Sequence, residues 1–582
     1  SFNTAVGSNS LKANIGGTPN TAVGFNSLLS NTTGGNNVAV GDGALGTNVS
    51  ASDSTAVGHF ALSSNTAANN TAVGSQALYF NAGGTPNTAV GYHALYQNVS
   101  GTNNVAVGDS ALAANTGNFN TAVGSLALSS NNTGSSNTAS GFGTMSTNTA
   151  GDYNTAFGTQ ALNLNSTGSN NTALGFQSLQ RNTVNNNTAV GYLSLAFNTT
   201  GTPNTAVGYL ALFANISGTN NVAVGDSALA ANTGSANTAV GSGALALNTS
   251  ANNNVAVGYF ALNLNSSGAF NTACGNSALS KNTASQNTGV GAGALQNNTT
   301  GTPNTALGAA ALFDNVSGTN NVAVGDNALA ANTNSNNTAV GSGAMAANVN
   351  GSQNVSVGRN ALANMNPAAP SVTNNTAVGY ASLFTNTTGA PNTAVGSNAL
   401  FANLTGTNNV AVGDSALAAN TSNQNTALGS GAGNAITTGS NLTAIGYNAQ
   451  ASAVGATNEI TLGNSSVATL RCQTTAITAL SDARDKEDVK PLTAGLDFIN
   501  ALKPVSFTWN MRDGGKVGVE DTGFIAQDLL EAQKVSGVSI PGLVYEANPD
   551  RLEAAYGKLI PALVATIQEL SAQVEELKKK VK

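Results

Sequence analysis

The string N-T-A-V-G, or a close variant, begins at Asn3, Asn20, Asn37, Ser54 and Asn70 and returns every 16 or 17 residues to Asn425, with a degenerate last copy ending in Gly446. One step differs: 21 residues separate Asn354 from Asn375. There are 27 copies, with the consensus N-T-A-V-G-x-x-A-L-x-x-N-T-x-G-x-x. So short a period cannot hold a helical pair or a propeller blade, and it suits one coil of a parallel β-solenoid, or β-roll. Coils stacked at the strand spacing of about 4.8 Å predict a rod on the order of 130 Å for residues 1–446.

The columns of the repeat carry the next inferences. Column 5 is glycine in every copy, which predicts a recurring corner at positive φ. Column 4 (Val6, Phe157, Leu174, Cys274, Leu307, Ile445) and column 9, almost always leucine, are expected to be the stacked core. Column 3 is alanine, or Gly289 or Ser356, so something packs closely on it. Column 2 is threonine or valine and is expected to be half-buried. Asparagine fills column 1 and most of column 12 (Asn14, Asn31, Asn48, Asn65), and stacked amides of this kind form hydrogen-bonded ladders. Many of these asparagines sit in N-x-[ST] sequons, but side chains occupied in ladders are not glycan acceptors.

Charge separates the chain into two parts. Residues 1–460 carry 4 Lys/Arg and 9 Asp/Glu, whereas residues 461–582 carry 14 and 16. A rod with so few cations has no phosphate-neutralising surface, so nucleic acid is not an expected partner. No apolar run reaches membrane-spanning length, and membrane insertion is not expected. Cys274 and Cys472 make neither a disulfide framework nor a metal set, and Asp109, Asp226, Asp326 and Asp414 are isolated turn residues; no metal or cofactor is predicted. The scattered carboxylates of the rod also do not provide the close pair that glycoside hydrolysis needs. Aromatics at variable columns, such as Tyr92, Tyr96, Tyr209, Phe213, Tyr259 and Phe260, would stack on sugars or fill a seam between chains. The long step, around Asn364 to Pro370, is the one evident loop.

Residues 447–480 break the repeat. N-E-I-T-L-G (Asn458–Gly463) reads as a strand, and the segment is expected to cap the solenoid. Beyond it the composition becomes that of a small α+β domain, residues 481–582. A helix is predicted over Ala494–Leu502 and a half-buried strand over Val505–Met511. A turn at Asp513–Gly515, a second strand over Lys516–Glu520 and a helix over Gly523–Ala532 follow. Ile560, Leu563, Ile567, Leu570, Val574, Leu577 and Val581 alternate spacings of three and four, a coiled-coil seam over about 559–581.

The N-T-A-V-G repeats resemble the heads of trimeric autotransporter adhesins and the shafts of phage tail fibres. S-D-A-R-D-K (Ser481–Lys486), G-L-D-F-I-N-A-L-K-P-V-S-F-T-W (Gly495–Trp509), G-F-I-A-Q-D-L (Gly523–Leu529) and Y-G-K-L-I-P-A-L-V-A-T-I-Q-E-L (Tyr556–Leu570) resemble the intramolecular chaperone domain of phage endosialidase tailspikes and fibres. That resemblance implies a homotrimer in which the domain guides folding of the preceding fibre and then cuts itself off. It maps a serine nucleophile onto Ser481, a lysine base onto Lys486 and the scissile bond onto Leu480–Ser481. At most, then, the chain is a serine endopeptidase acting once on itself. Asp485 adjoins Lys486 in sequence, and a carboxylate close in space would favour the charged lysine; for a working base the two side chains have to point apart. Near-identical repeats make registers slipped by one coil competitive, which gives a trimerising guide its purpose.

The expected protein is therefore a virion tail fibre or spike that reaches a host-surface glycan or protein receptor. The alternative is a bacterial surface adhesin or extracellular filament that keeps its C-terminal domain as an uncleaved cap.

Overall fold

Side chains along a strand alternate between its two faces, and in each coil this alternation decides what is buried. The computed structural model describes residues 2–467, 469–471, 481–512, 517–546 and 549–581. Two units, Ser1–Asn350 and Gly351–Lys582, are described in turn. The expected turn at Asp513–Gly515 and the stretch from Thr474 to Leu480 lie outside the described residues.

In the first unit, every N-T-A-V-G copy makes one short strand, from Thr4–Val6 to Thr338–Val340. Successive strands pair in parallel and in strict register, Thr21 with Val38, Ala22 with Ala39 and Val23 with Val40 being typical. This is a parallel β-solenoid. Columns 1 and 3 face inward, so Asn37 and Ala39 are buried while Val38 is exposed. Column 4 therefore points outward, against the expectation that it is core: Val6, Val57, Val123 and Leu307 are all exposed. The alanine of column 3 instead meets the alanine and leucine of columns 8 and 9, as at Ala39, Ala44 and Leu45, all fully buried.

The glycine corner is present, with φ of 134° at Gly24 and 133° at Gly41. A Cβ on Gly24 would collide with the backbone of Gly41, so the stacked coils also exclude any other residue there. Less expected is that the core leucines are left-handed: Leu11, Leu28 and Leu45 have φ of 50°, 47° and 52°. That conformation costs an L-residue about 1–2 kcal/mol. Two effects offset it. The Leu28 N–H donates to the Ala44 carbonyl of the next coil, 3.0 Å, and a fully buried leucine side chain contributes about 1.5–3 kcal/mol.

Asparagine ladders satisfy most of the buried polar atoms of these columns. In column 1, Asn20 Nδ2 donates to Gly34 O (2.9 Å), and its Oδ1 accepts the backbone N–H of Asn37 (3.0 Å). In column 12, Asn31 Nδ2 donates to Asn14 Oδ1 and Asn48 Nδ2 to Asn31 Oδ1, at 2.9 and 3.0 Å. A gap in this ladder is costly, because a buried polar group that loses its partner costs about 1–3 kcal/mol. Asn131 donates to Asn115 Oδ1 and Gly134 O and accepts from Asn148 Nδ2. Asn131→Leu is expected to lower the stability of the surrounding coils by about 2–3 kcal/mol, read as faster hydrogen exchange of their amides. Unchanged exchange would mean that the ladder contributes nothing.

In the second unit the strands Val355–Val357, Thr376–Val378, Asn392–Val395, Asn409–Val412, Thr426–Leu428 and Thr443–Ile445 are built from the same coil. The 21-residue step keeps register, Val355 pairing with Thr376, and its extra residues form a second short parallel pair, Gly351–Ser352 with Ser371–Val372. There Met365 stands in the column 12 ladder, and the next amide along, Asn386, has both polar atoms buried without a hydrogen-bond partner. Ile460–Leu462 pairs with Thr443–Ile445, so E-I-T-L-G adds a further coil. Glu459 replaces the column 1 asparagine, and its carboxylate accepts from Ser452 N and Oγ.

Residues 481–581 form a small α+β region. Helices α1 (Leu496–Ala501), α2 (Ala526–Ser536) and the start of α3 (Leu559–Lys580) enclose a core around Phe498, Ala532, Leu543, Leu559 and Ala562. The strands Val505–Asn510 and Val517–Gly523 pair antiparallel, with Val505, Phe507 and Trp509 half-buried. The second helix begins three residues later than expected because Gly523 ends the strand. The Tyr556 hydroxyl holds the next residue, donating to Phe524 O (2.8 Å) and accepting from Phe524 N (3.2 Å). No helix among the described residues is long and apolar enough to cross a membrane.

Candidate functional site

Six residues build the site, and their local geometry follows from one cap. Asp482 precedes a single 3-10 turn, Ala483–Asp485, and its carboxylate accepts the Arg484 backbone N–H at 2.9 Å. It also accepts from Arg484 Nε, at 3.0 and 3.1 Å to its two oxygens. These bonds to the Arg484 side chain, and then to its backbone, hold the Asp482 carboxyl below its ordinary value of 3.8 and raise the Arg484 guanidinium. The contribution of this pair to the turn is thus complete above the ordinary carboxylate value and is lost only as pH falls through the depressed one.

The turn folds the chain back on itself, so residues five apart in sequence become neighbours. Lys486 Nζ lies 2.6 Å from Ser481 Oγ and 3.4 Å from the Ser481 carbonyl oxygen. Asp485 makes no ion pair with Lys486 among the described residues; the carboxylate that is engaged is Asp482, and its partner is Arg484. The lysine amine is within proton-transfer distance of the serine hydroxyl, the geometry a hydroxyl nucleophile and an amine base require. Both residues are exposed on the single chain. Leu480, the expected acyl side of the scissile bond, lies outside the described residues.

The seam residues Ile560, Leu563, Ile567, Leu570, Val574 and Leu577 all lie on α3 and are all exposed, Ile560 by 62% and Ile567 by 65%. The adjoining face of the helix, with Leu559, Ala562 and Thr566, is buried. The apolar surface of this helix is wider than its own chain covers. Sequence reasoning missed the Glu569 carboxylate on this helix, which accepts the Leu496 backbone N–H at 3.1 Å. It caps α1, whose N-cap, Gly495, has no side chain to do so. A carboxylate next to a seam reads as an ordinary solvated charge, so no signal in the sequence marks it.

Residues 481–544 match the family described as chaperone of endosialidase. No curated protein and no solved structure matches the chain. The match begins on Ser481 and runs through the hairpin and α2 into the strand at Val544–Tyr545. A chaperone-of-endosialidase segment following a long β-solenoid is an architecture that fits a protein of the tail-fibre or tailspike type.

Proposed function

We propose that this chain is a subunit of a homotrimeric virion fibre or spike that attaches to a host surface. Its C-terminal domain aligns three copies of the solenoid and then releases itself by cutting Leu480–Ser481. The observation that carries the proposal is the Lys486 Nζ to Ser481 Oγ approach of 2.6 Å at the first residues of the family match.

In the proposed step, Ser481 Oγ attacks the Leu480 carbonyl carbon and its proton passes to Lys486 Nζ. The Leu480–Ser481 C–N bond breaks, and the proton is returned to the departing Ser481 nitrogen. Leu480 is then held as an ester on Ser481 Oγ, and water hydrolyses that ester to a free carboxylate and a restored hydroxyl. The products are the solenoid ending at Leu480 and the domain beginning at Ser481.

Two apolar surfaces support association. One is the exposed α3 seam. The other is the outward column 4 stripe, in which Val73, Val90, Val107 and Val123 follow one another on successive coils. Contiguous exposed apolar surface of this kind marks an interaction face. Three identical chains need a common register, and near-identical coils do not supply one. A terminal clamp supplies it, and removing the clamp afterwards leaves a product that can no longer refold by the same route.

Ser481→Ala is expected to leave only the full-length chain on a denaturing gel, while the wild-type chain gives the two fragments. If both proteins run only at full length, the self-cleavage reading fails and the uncleaved adhesin or filament is favoured. If both are cut, an external protease is acting.

A further inference from the structure

Three successive coils of the first unit carry a cluster of rings found nowhere else among the described coils. We infer that this cluster is a binding site for an uncharged oligosaccharide; the inference rests on the attachment reading and places the receptor contact on the side of the solenoid.

Phe60, Tyr79, Phe80, Tyr92, His93 and Tyr96 form one connected surface. Tyr79 stacks on Tyr96 at 5.5 Å, Phe80 meets Tyr96 edge-on at 5.2 Å, and Phe60 meets Tyr79 at 6.1 Å. His93 bridges the two halves, 3.8 Å from Tyr92 in a stack and 4.5 Å from Tyr96. The surface is open, with Tyr92 exposed by 53% and Phe80 by 42%. It is also fixed: no Cβ would fit at Gly43 beneath the Phe60 ring, so that ring lies directly on the backbone of the preceding coil. Three coils span about 10 Å along the stack, the length of a di- or trisaccharide. One face of a pyranose presents C–H groups of partial positive charge, which complement the negative face of an aromatic ring.

Polar groups border the rings. His59 Nε2 lies 3.8 Å from the Asp42 carboxylate of the preceding coil, and His93 is hydrogen-bonded to Gln76. The chain contains two histidines in 582 residues, and both are in this cluster. Charge selects the class of sugar. Residues 1–100 contain one lysine, Lys12, and two aspartates, Asp42 and Asp53, so no cation near the rings would pair with a sialic acid, sulfate or phosphate.

A seam between copies is the competing occupant, and two observations weigh against it. A seam of stacked repeats runs from coil to coil along the solenoid, whereas here the neighbouring coil already carries Ser110, Ala113 and Ala114 in columns 7, 10 and 11. The rings also come from the wall beyond the glycine corner, not from the strand that carries the exposed valines. Elsewhere Phe176, Tyr192 and Tyr209 repeat one column and stack on one another at 5.4 Å, without histidine beside them.

The test uses the full chain with Ser481→Ala, to keep it intact, and compares it with the same protein carrying Tyr92→Ser and Tyr96→Ala. Both replacements already occur in those columns, at Ser75 and Ala113, so the coils tolerate them. An array of neutral oligosaccharides of glucose, galactose and N-acetylhexosamine is screened, and the tightest binder is titrated by calorimetry. The parent protein is expected to bind, and the double variant to bind at least tenfold more weakly at unchanged assembled mass. Absence of binding by the parent, or equal binding by both proteins, overturns the site. A lower assembled mass in the variant overturns it in favour of a seam. Adhesion of both labelled proteins to a panel of bacterial cells separates the two readings. Equal adhesion by both overturns the site but leaves attachment standing. Oligosaccharide binding without adhesion to any cell supports the site and removes attachment.

Discussion

Ile567→Asp with Leu570→Asp is expected to abolish assembly and to collapse the yield of soluble solenoid. The two residues are exposed on α3 by 65% and 47%, and neither belongs to the core cluster around Phe498 and Leu543. The substitutions therefore leave the fold of the single domain intact and act on what docks against it. Burying a Val, Leu or Ile side chain contributes about 1.5–3 kcal/mol, so the six seam residues together offer on the order of 10 kcal/mol per chain. Two carboxylates at the centre of that seam would have to be desolvated without partners, which costs more than the remaining contacts return. With Ser481→Ala added to both proteins to keep the chain intact, light scattering is expected to give three times the chain mass for the unmodified seam and a monomer mass or aggregate for the double-aspartate variant. A variant that keeps the trimer mass would show that α3 does not hold the assembly.

The second large effect is at Lys486. Lys486→Met and Lys486→Arg are both expected to slow the appearance of fragments by about 10²–10⁴-fold, the usual worth of a positioned general base. The arginine variant separates two roles. Arginine keeps the positive charge and can still donate to Ser481 Oγ, but it does not deprotonate in proteins and so cannot take the hydroxyl proton. If Lys486→Arg cleaves like the parent, Lys486 serves as a positioned charge and the proton goes elsewhere. Time courses on denaturing gels, started from purified intact protein, distinguish these outcomes.

What could be read from residues alone differed from part to part for physical reasons. The period, the glycine corner and the asparagine ladders were legible because each leaves a column that only one residue type can fill. The inside and outside of the strand were not. In N-T-A-V, as at Asn70–Val73, the buried positions are asparagine and alanine and the exposed one is valine, the reverse of the pattern by which a half-buried strand is recognised. Asparagine goes inside because its amide is satisfied by the neighbouring coils, and valine stays on the outer face. The left-handed leucines leave no trace either, since leucine is among the residues least expected there and only inter-coil bonding holds it. In the C-terminal region the seam was visible in its spacing, whereas Ser481 and Lys486 follow from the resemblance of the surrounding residues and not from their spacing. The cap that brings the pair together leaves no such signal: it depends on Asp482, while Asp485 is the carboxylate next to Lys486 in sequence.

Intact mass spectrometry of the wild-type chain, with the N-terminal sequence of any small fragment, tests the central claim most directly. Two species are expected: one ending at Leu480, and one running from Ser481 to Lys582 whose sequence begins Ser-Asp-Ala-Arg-Asp-Lys. A single full-length mass after prolonged incubation, or a fragment beginning at any other residue, would contradict it.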